Sequence, residues 1–425
     1  MKVETSVIAT GDALITRTLP SGGYPGFPEI QKIISRYDVR FSNLETTVHR
    51  QEGYPAAFSG GTWTMADPAI LDDLKGQFGF NLYNTANNHS LDYEIAGLLA
   101  TIRHLEERNM PFAGTGRNLG EAGAPTYLEA PQARVAMIGV SASFYPSWIA
   151  GNSRIDMVGR PGLNPLRSTT SYYLAEEQFG QVKALAEKFA LRPGASRPGS
   201  ENQVRFAGTV FHLGTENMVK SEPHKKDMER ILGNIKDARR QADYVLVSLH
   251  AHAPERGDNS EPASYLKTFA RACIDAGAIA VLGHGPHVMR PIELYNGGVI
   301  FYSLGNFIFQ PDTESHQPAD AFENASLHPH ALVGEYMDHR AGDGSRSAFT
   351  NQEVWRAVMA GFNLVDGKIT QVQLYPITLG MELPRSRIGW PSLLGDNAAL
   401  EYMAELCNRY GTKVRIENAV AYIDL

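Results

Sequence analysis

The chain has 425 residues, of which 43% are hydrophobic and 20% charged, and carries a formal net charge of −7. That length supports a large core, and the acidic balance excludes a nucleic-acid-binding role carried by a basic surface. No apolar run of about 18 residues occurs and the opening MKVETSVIATGD is too interrupted for a signal peptide, so no membrane segment and a cytoplasmic location are expected.

The two cysteines, Cys273 and Cys407, make no disulfide framework, which fits a reducing compartment. Nothing in the pattern singles out an oligomeric state. In chain order, Val3 to Thr10 reads as a first strand ending at Gly11-Asp12. Phe27 to Tyr37 reads as a helix, and Asp38 to Ser42 as a second strand that delivers Asn43, Leu44 and Glu45. Residues 50–66, rich in Gly, Pro, Ser and Thr, form a long loop. Asp67 and Pro68 then open a helix that runs to about Lys75. Phe80 to Thr85 is a third strand, followed by a polar turn with Asn87, Asn88 and His89 and by a helix from Tyr93 to Arg108. Arg134 to Gly139 is a further strand.

Residues 141–240 are aromatic and turn-rich and are expected to form an inserted lid. Within them, Tyr172 to Ala190 is predicted helical, Leu191 to Asn202 a linker, and Lys225 to Gln241 an amphipathic helix. Asp243 to Leu249 is a buried strand ending in His250-Ala251-His252, with Glu255 shortly after, and Glu261 to Ala276 is a helix. Ile279 to Leu282 is another strand, leading to a loop with His284 and His287 and to a strand pair turning at Asn296-Gly297-Gly298. Residues 311–347 are a polar insertion whose His316, His328, His330 and His339 lack a strand-end context. Residues 353–425 complete the fold with strands Trp355 to Phe362 and Lys368 to Tyr375 joined at Asp366-Gly367, a helix Asn397 to Tyr410 and a strand from Val414 to Ile423.

The chemistry gathers where strands end, which is where open α/β folds place their sites. Asp12, Glu45, Asn88, His250, His284 and His287 fall at five strand-to-loop transitions. Taken singly, each has an ordinary reading as a cap or turn residue. Together they form an oxygen and nitrogen ligand set for one or two divalent ions, Mn, Zn, Fe, Mg or Ca. His89, His252, Glu255 and Asp12 are candidate proton carriers. Arg117, in PFAGTGRNLGE, and Arg160 and Arg167, in the insertion, are candidates for holding a carboxylate or phosphate. Such a centre can either activate water or stabilise an enolate-like oxygen while a histidine removes a neighbouring proton.

Several short motifs carry a resemblance: Gly11-Asp12, Asn43-Leu44-Glu45-Thr46, Asn87-Asn88-His89-Ser90-Leu91-Asp92-Tyr93, Gly114-Thr115-Gly116-Arg117-Asn118, Val247-Ser248-Leu249-His250, Gly283-His284-Gly285-Pro286-His287-Val288 and Tyr302-Ser303-Leu304-Gly305-Asn306-Phe307-Ile308-Phe309. Together they resemble the CapA family of bacterial capsule and poly-γ-glutamate synthesis proteins, which is similar to the calcineurin-like metallophosphoesterases. The resemblance covers roughly residues 3–310 and the late strand pair. It implies a single α/β domain over residues 1–425, a four-layer α/β/β/α sandwich of the metallophosphatase type with inserted lid segments and metals at its edge.

Carried over, the pattern gives Asp12 and His287 to one metal and Asn88, His250 and His284 to the other. It puts Glu45 in the bridging aspartate's place and turns His89 to the substrate. Asp12-Ala13-Leu14 stands where the phosphoesterase motif reads Asp-x-His, so one site is short of a ligand. The membrane-anchored form common in that family has an N-terminal apolar segment that is not read here, and a soluble relative acting on a peptide is expected instead. The resemblance implies a metal-dependent enzyme acting on a peptide or γ-glutamyl substrate by Cα epimerisation. The alternatives are a binuclear-metal phosphoester or phosphoanhydride hydrolase and a non-enzymatic accessory protein of polymer synthesis.

Overall fold

The computed structural model describes residues 3–189, 201–342, 345 and 347–425. Among these, two mixed sheets organise the chain. The first, of ten strands, runs in the order Val414–Glu417, Val420–Ile423, Lys368–Thr378, Arg356–Val365, Glu4–Leu14, Val39–Leu44, Leu82–Asn84 and Phe112–Ala113, with Asn306–Phe309 and Ser392–Leu393 attached. The second has six, in the order Met289–Tyr295, Gly298–Leu304, Ala280–His284, Tyr244–His250, Arg134–Ser141 and Thr126–Glu129. One apolar cluster draws on both sheets, joining Val7, Phe41 and Leu82 of the first to Met137, Leu246 and Phe301 of the second. The C-terminal helix Ala398–Asn408 pushes Leu400, Met403 and Leu406 into that same cluster.

Helices cover the outer faces. Phe27, Ile30 and Ile33 of the helix Phe27–Ile34 pack on the first sheet with Ile8, Tyr83 and Met359. Ile231 and Ile235 of the helix Lys225–Ala238 and Phe269 of the helix Ser264–Asp275 pack on the second sheet with Ile138, Val247 and Val281. Each such buried side chain is worth about 1.5–3 kcal/mol relative to exposure, so the helix Lys225–Ala238 is held to the second sheet's core. The part of 141–240 that stands outside both sheets is smaller. Among the described residues it includes a four-stranded sheet of Ser168–Leu174, Gln203–Phe206, Thr209–Leu213 and Met218–Pro223, with the helix Glu176–Lys188 beside it.

The first strand explains where the site lies. Glu4–Leu14 extends past Thr10 and carries Asp12 inside it. It pairs antiparallel with Arg356–Val365 only as far as Ala9, then parallel with Asn306–Phe309 from Asp12. At the changeover a Cβ on Gly11 would lie 1.7 Å from the Gly305 carbonyl oxygen, so the approach requires glycine.

Other boundaries shift for local reasons. Ser168–Leu174, β-branched and aromatic, is a strand, so the helix expected from Tyr172 starts at Glu176. Asp258–Pro262 pairs with Pro254–Glu255, which delays the next helix from Glu261 to Ser264. The turns Asn296-Gly297 and Asp366-Gly367 place both residues at positive φ, as a two-residue hairpin requires. The expected final strand is a hairpin, Val414–Glu417 and Val420–Ile423, turning at Asn418-Ala419. Most of the Leu191–Asn202 linker, and Ala190, lie outside the described residues. Among the described residues, no helix is long and apolar enough to cross a membrane. Cys273 and Cys407 are buried and unpaired.

Candidate metal centre

Register brings the strand-end residues together. In the first sheet Asp12 lies beside Asn43, and Asn43 beside Asn84; in the second, His250 lies directly beside His284. The two ladders meet at Asp12. Its Oδ1 accepts a hydrogen bond from Asn43 Nδ2 at 2.7 Å and its Oδ2 one from the Gly285 amide at 2.8 Å. Gly285 sits at φ 119°, and a Cβ there would press on Ala251 at 2.8 Å, so glycine is needed to present that amide.

Three overlapping trios of ligand atoms result: Asp12, His250 and His284; Glu45, His250 and His252; Asp12, Glu45 and His287. Asp12 Oδ1 is 3.4 Å from His284 Nδ1 and 3.6 Å from His250 Nδ1, while Oδ2 is 3.8 Å from His287 Nδ1. Glu45 Oε1 is 3.7 Å from His250 Nε2 and 3.9 Å from His287 Nε2. These are long for direct hydrogen bonds. Two ligands each about 2.1 Å from a tetrahedral ion stand about 3.4 Å apart, close to these separations. The chemistry of the donor set, carboxylate oxygens with imidazole nitrogens, suits a divalent cation. Among the described residues both carboxylate oxygens of Glu45 are buried without a hydrogen-bond partner, as is Asn88 Oδ1, whose own amide group donates to the Gly60 carbonyl at 2.9 Å.

Electrostatics point the same way. Burial is the largest influence on Asp12 and raises its pKa, but the facing imidazoles of His250 and His284 outweigh it and hold the carboxyl well below the usual range. Glu45 is pushed well above its ordinary value by burial, then by the charges of Asp12 and Asp92. Burial lowers His250 to about 4 and depresses His252 and His287 as well. Neutral imidazoles with available lone pairs are what a cation needs.

Neighbours fix the rings. His284 Nε2 lies 2.7 Å from Ser248 Oγ. His287 Nδ1 lies 2.8 Å from Asn306 Oδ1, and because the Asn306 amide group donates to the Val354 carbonyl, that oxygen accepts and the ring keeps Nε2 free toward Glu45. His287 holds φ 59°, a left-handed conformation unusual for a side chain of its size. Arg290 is fully buried and donates to the carbonyls of Ala251, His252 and Asn259 at 3.3, 2.9 and 3.0 Å. Burial lowers its pKa to about 10, which leaves it charged at neutral pH.

Beside the trios lies a cavity of ≈ 330 Å³ whose walls include His89, His287, Phe309 and Arg340. His89 Nδ1 is 2.6 Å from Asp92 Oδ2, and Asp92 also accepts from the amides of Thr64 and Gly60. The ring therefore donates through Nδ1 and keeps Nε2 for another partner.

The remaining expected residues lie elsewhere. Arg117 pairs with Glu106 at 2.7 Å, and Arg160 donates to the Ile149 carbonyl at 3.0 Å. Arg167 grips the fully buried Asp227 through Nε and Nη2, both at 2.8 Å. None of the three lines the cavity with His89 and His287. Glu255 is not in a ligand trio, and its Oε2 accepts from the Ser264 amide at the start of the helix Ser264–Asp275. The cation that does line the cavity is Arg340, from the polar insertion 311–347, where no site residue was singled out. Its signal in the sequence was nil, whereas Asp92, three residues after His89, had a legible spacing.

Residues 6–311 match the family described as Bacterial capsule synthesis protein PGA_cap. An uncharacterised protein of Sinorhizobium fredii, y4sH, is 33% identical over 433 residues, covering 99% of this chain and 93% of that protein. The PGA biosynthesis protein CapA of Bacillus subtilis is 26% identical over 284 residues, 67% of this chain and 56% of its own length. The Capsule biosynthesis protein CapA of Bacillus anthracis is 29% identical over 231 residues, 54% of this chain and 40% of its own.

Proposed function

We propose that this chain, which belongs to the bacterial capsule synthesis family PGA_cap, is a metal-dependent enzyme that inverts a Cα centre in a peptide or γ-glutamyl substrate. The observation that carries the reading is the overlap at Asp12 of the trios Asp12–His250–His284 and Asp12–Glu45–His287 at buried strand ends, with both oxygens of Glu45 left without a donor among the described residues. Asp12, Glu45, Asn88, His250, His284 and His287 would hold one or two divalent ions. A bound cation supplies the positive charge that makes a proton beside a carbonyl more acidic.

The chain's own residues do the rest. Arg340 holds a substrate carboxylate at the cavity wall, the role a guanidinium fork serves best. His89, oriented by Asp92, takes the proton at Nε2. His252, edge-on to His287 with ring centroids 5.4 Å apart, is the second carrier, and the reading requires it to serve the face of Cα opposite His89. Inversion needs two carriers, since one would return the proton to the face it left. Helices on the outer faces of both sheets support a four-layer sandwich of the metallophosphatase type as the fold behind this chemistry. A reducing, cytoplasmic setting fits the two buried, unpaired cysteines.

The test is incubation of metal-loaded protein with γ-glutamyl and α-linked peptides in deuterated water. Deuterium at Cα without cleavage is the expected outcome. Release of phosphate from simple esters with no exchange at Cα would replace the reading with phosphoester hydrolysis, for which the same overlapping trios also provide. Unfolding on metal removal, with no turnover of either kind, would leave an accessory role.

A further inference from the structure

A second cavity, of ≈ 470 Å³, adjoins the first, and Gly61 and Arg340 line both. Its other walls include Phe58, Trp63, Tyr145 and Tyr336. Two of these rings are left open to solvent: Phe58 is 59% exposed and Tyr145 37%. They stack on one another at 5.0 Å and 25°, and Tyr145 rests edge-on against the buried Trp148. Trp63 and Tyr336 form the buried wall. The indole nitrogen of Trp63 donates to the Ala56 carbonyl at 2.8 Å, so its polar atom is already satisfied. What remains is an aromatic slot with Ala321 and Ala325 as small wall residues and a cation at the end nearest the metal centre. Large rings held together on the surface without entering the core forgo burial that the fold would otherwise gain.

We infer that this slot is a specificity subsite for an aromatic side chain of the substrate, borne on the residue whose carboxylate Arg340 holds. The inference rests on the proposed function only for what happens next door. Arg340 faces both cavities, so a ligand with an anion at the guanidinium has one direction open to the reacting centre and the other to the slot. Among the described residues its nearest anion, Asp312, is 3.8 Å away, and its other hydrogen-bond contact is one donation to the Pro311 carbonyl at 3.2 Å, which leaves donors for a ligand. A ring entering the slot lies against the Phe58–Tyr145 stack and the wall of Trp63 and Tyr336, and a small side chain leaves that stack exposed. Selection of the aromatic residue follows from burial and stacking together.

The experiment is titration calorimetry of the full chain with three probes: N-acetylphenylalanine, N-acetylalanine, which lacks the ring, and N-acetylphenylalaninamide, which lacks the carboxylate. N-acetylphenylalanine should bind about tenfold more tightly than either. The preference over N-acetylalanine should vanish in Phe58→Ala and Tyr145→Ala, and the preference over the amide should vanish in Arg340→Met. The two aromatic side chains are exposed enough for truncation to leave the fold intact, which the melting temperature checks. Phe58→Tyr, which keeps the ring, should retain the preference. A preference below twofold in the unaltered chain, including failure of every probe to bind at millimolar concentration, overturns the inference. So does a preference that survives both truncations. Metal content measured on the same samples reports separately on the metal centre, so a failed subsite with metal bound is distinguishable from a failed centre.

Discussion

The rim where the two large sheets meet and the small sheet inserted after Gly162 are both built of strands, yet they treat polar residues in opposite ways. Tyr244–His250 is buried at every position, and Ser168–Leu174 at none. At the rim, Asp12, Glu45, His250 and His284 have no water to turn to, so strand register dictates which atoms face one another. In the inserted segment, side chains can choose solvent or a neighbour, and Arg160 and Arg167 are taken up by a backbone carbonyl and by Asp227. Residue type alone therefore does not mark a site. Enforced proximity under burial does.

Substitutions can break this contrast or sharpen it. The largest effect is expected from His89→Asn, which should lower exchange at Cα by about 10²–10⁴-fold with metal content unchanged. Equal loss of metal would place His89 among the ligands. Asp12→Asn removes a ligand from two of the three trios and should weaken metal binding by at least about 100-fold in a chelator competition; undiminished affinity would dissolve the centre as drawn. In the inserted region Asp227→Ala should cost about 1–3 kcal/mol in denaturant unfolding, because Arg167 and Arg230 lose their buried partner. Metal affinity should stay the same, and a fall would show that the two regions are coupled.

A fourth outcome concerns pH. Burial depresses His250 and His49 to about 4. Near pH 5 the unfolded chain would protonate these rings while the folded one does not, so the unfolded state binds more protons. Their contribution to stability is complete above the ordinary histidine value of about 6.5 and is lost as pH falls toward 4. Thermal melts of the metal-free protein should show that decline, and a flat profile between pH 6.5 and 4 would contradict it. The smallest effect is expected from Arg117→Ala, whose exposed pair with Glu106 is worth about 0.5 kcal/mol or less. A marked loss of turnover there would return Arg117 to the site.

Much of the rim was legible in the sequence because burial writes itself as apolar runs that stop abruptly. The runs before Asp12, Glu45 and His250 each end in a ligand-type residue, ordinary as a cap or turn when taken singly and telling only because the placement recurs. The hairpin turns at Asn296-Gly297 and Asp366-Gly367 were equally open, since their conformation is local. Glu255 was not legible: whether such a glutamate caps a helix or reaches a crevice depends on how Pro254–Glu255 folds back against Asp258–Pro262. Arg340 was hidden for the same kind of reason. It reaches the cavity through the packing of Tyr336 and Met337 against Trp63 and Met65, residues some 270 positions earlier in the chain. Nonlocal contacts between segments without periodicity leave no trace in either one.

The guanidinium of Arg290 carries a consequence for how the molecule breathes. It binds the carbonyls of Ala251, His252 and Asn259 and has no carboxylate among its hydrogen-bonding partners in the described residues, so the loop carrying His252 is tied to a permanent interior charge. Lifting that loop would strand the cation in the interior, where an unpaired charge is far more costly than a lost neutral hydrogen bond. Small, frequent openings are thereby suppressed. The amide protons of Ala251 and His252, which donate to the His284 carbonyl and to Ser143 Oγ, should exchange with solvent as slowly as those of the strand Tyr244–His250, opening only when the whole sheet does.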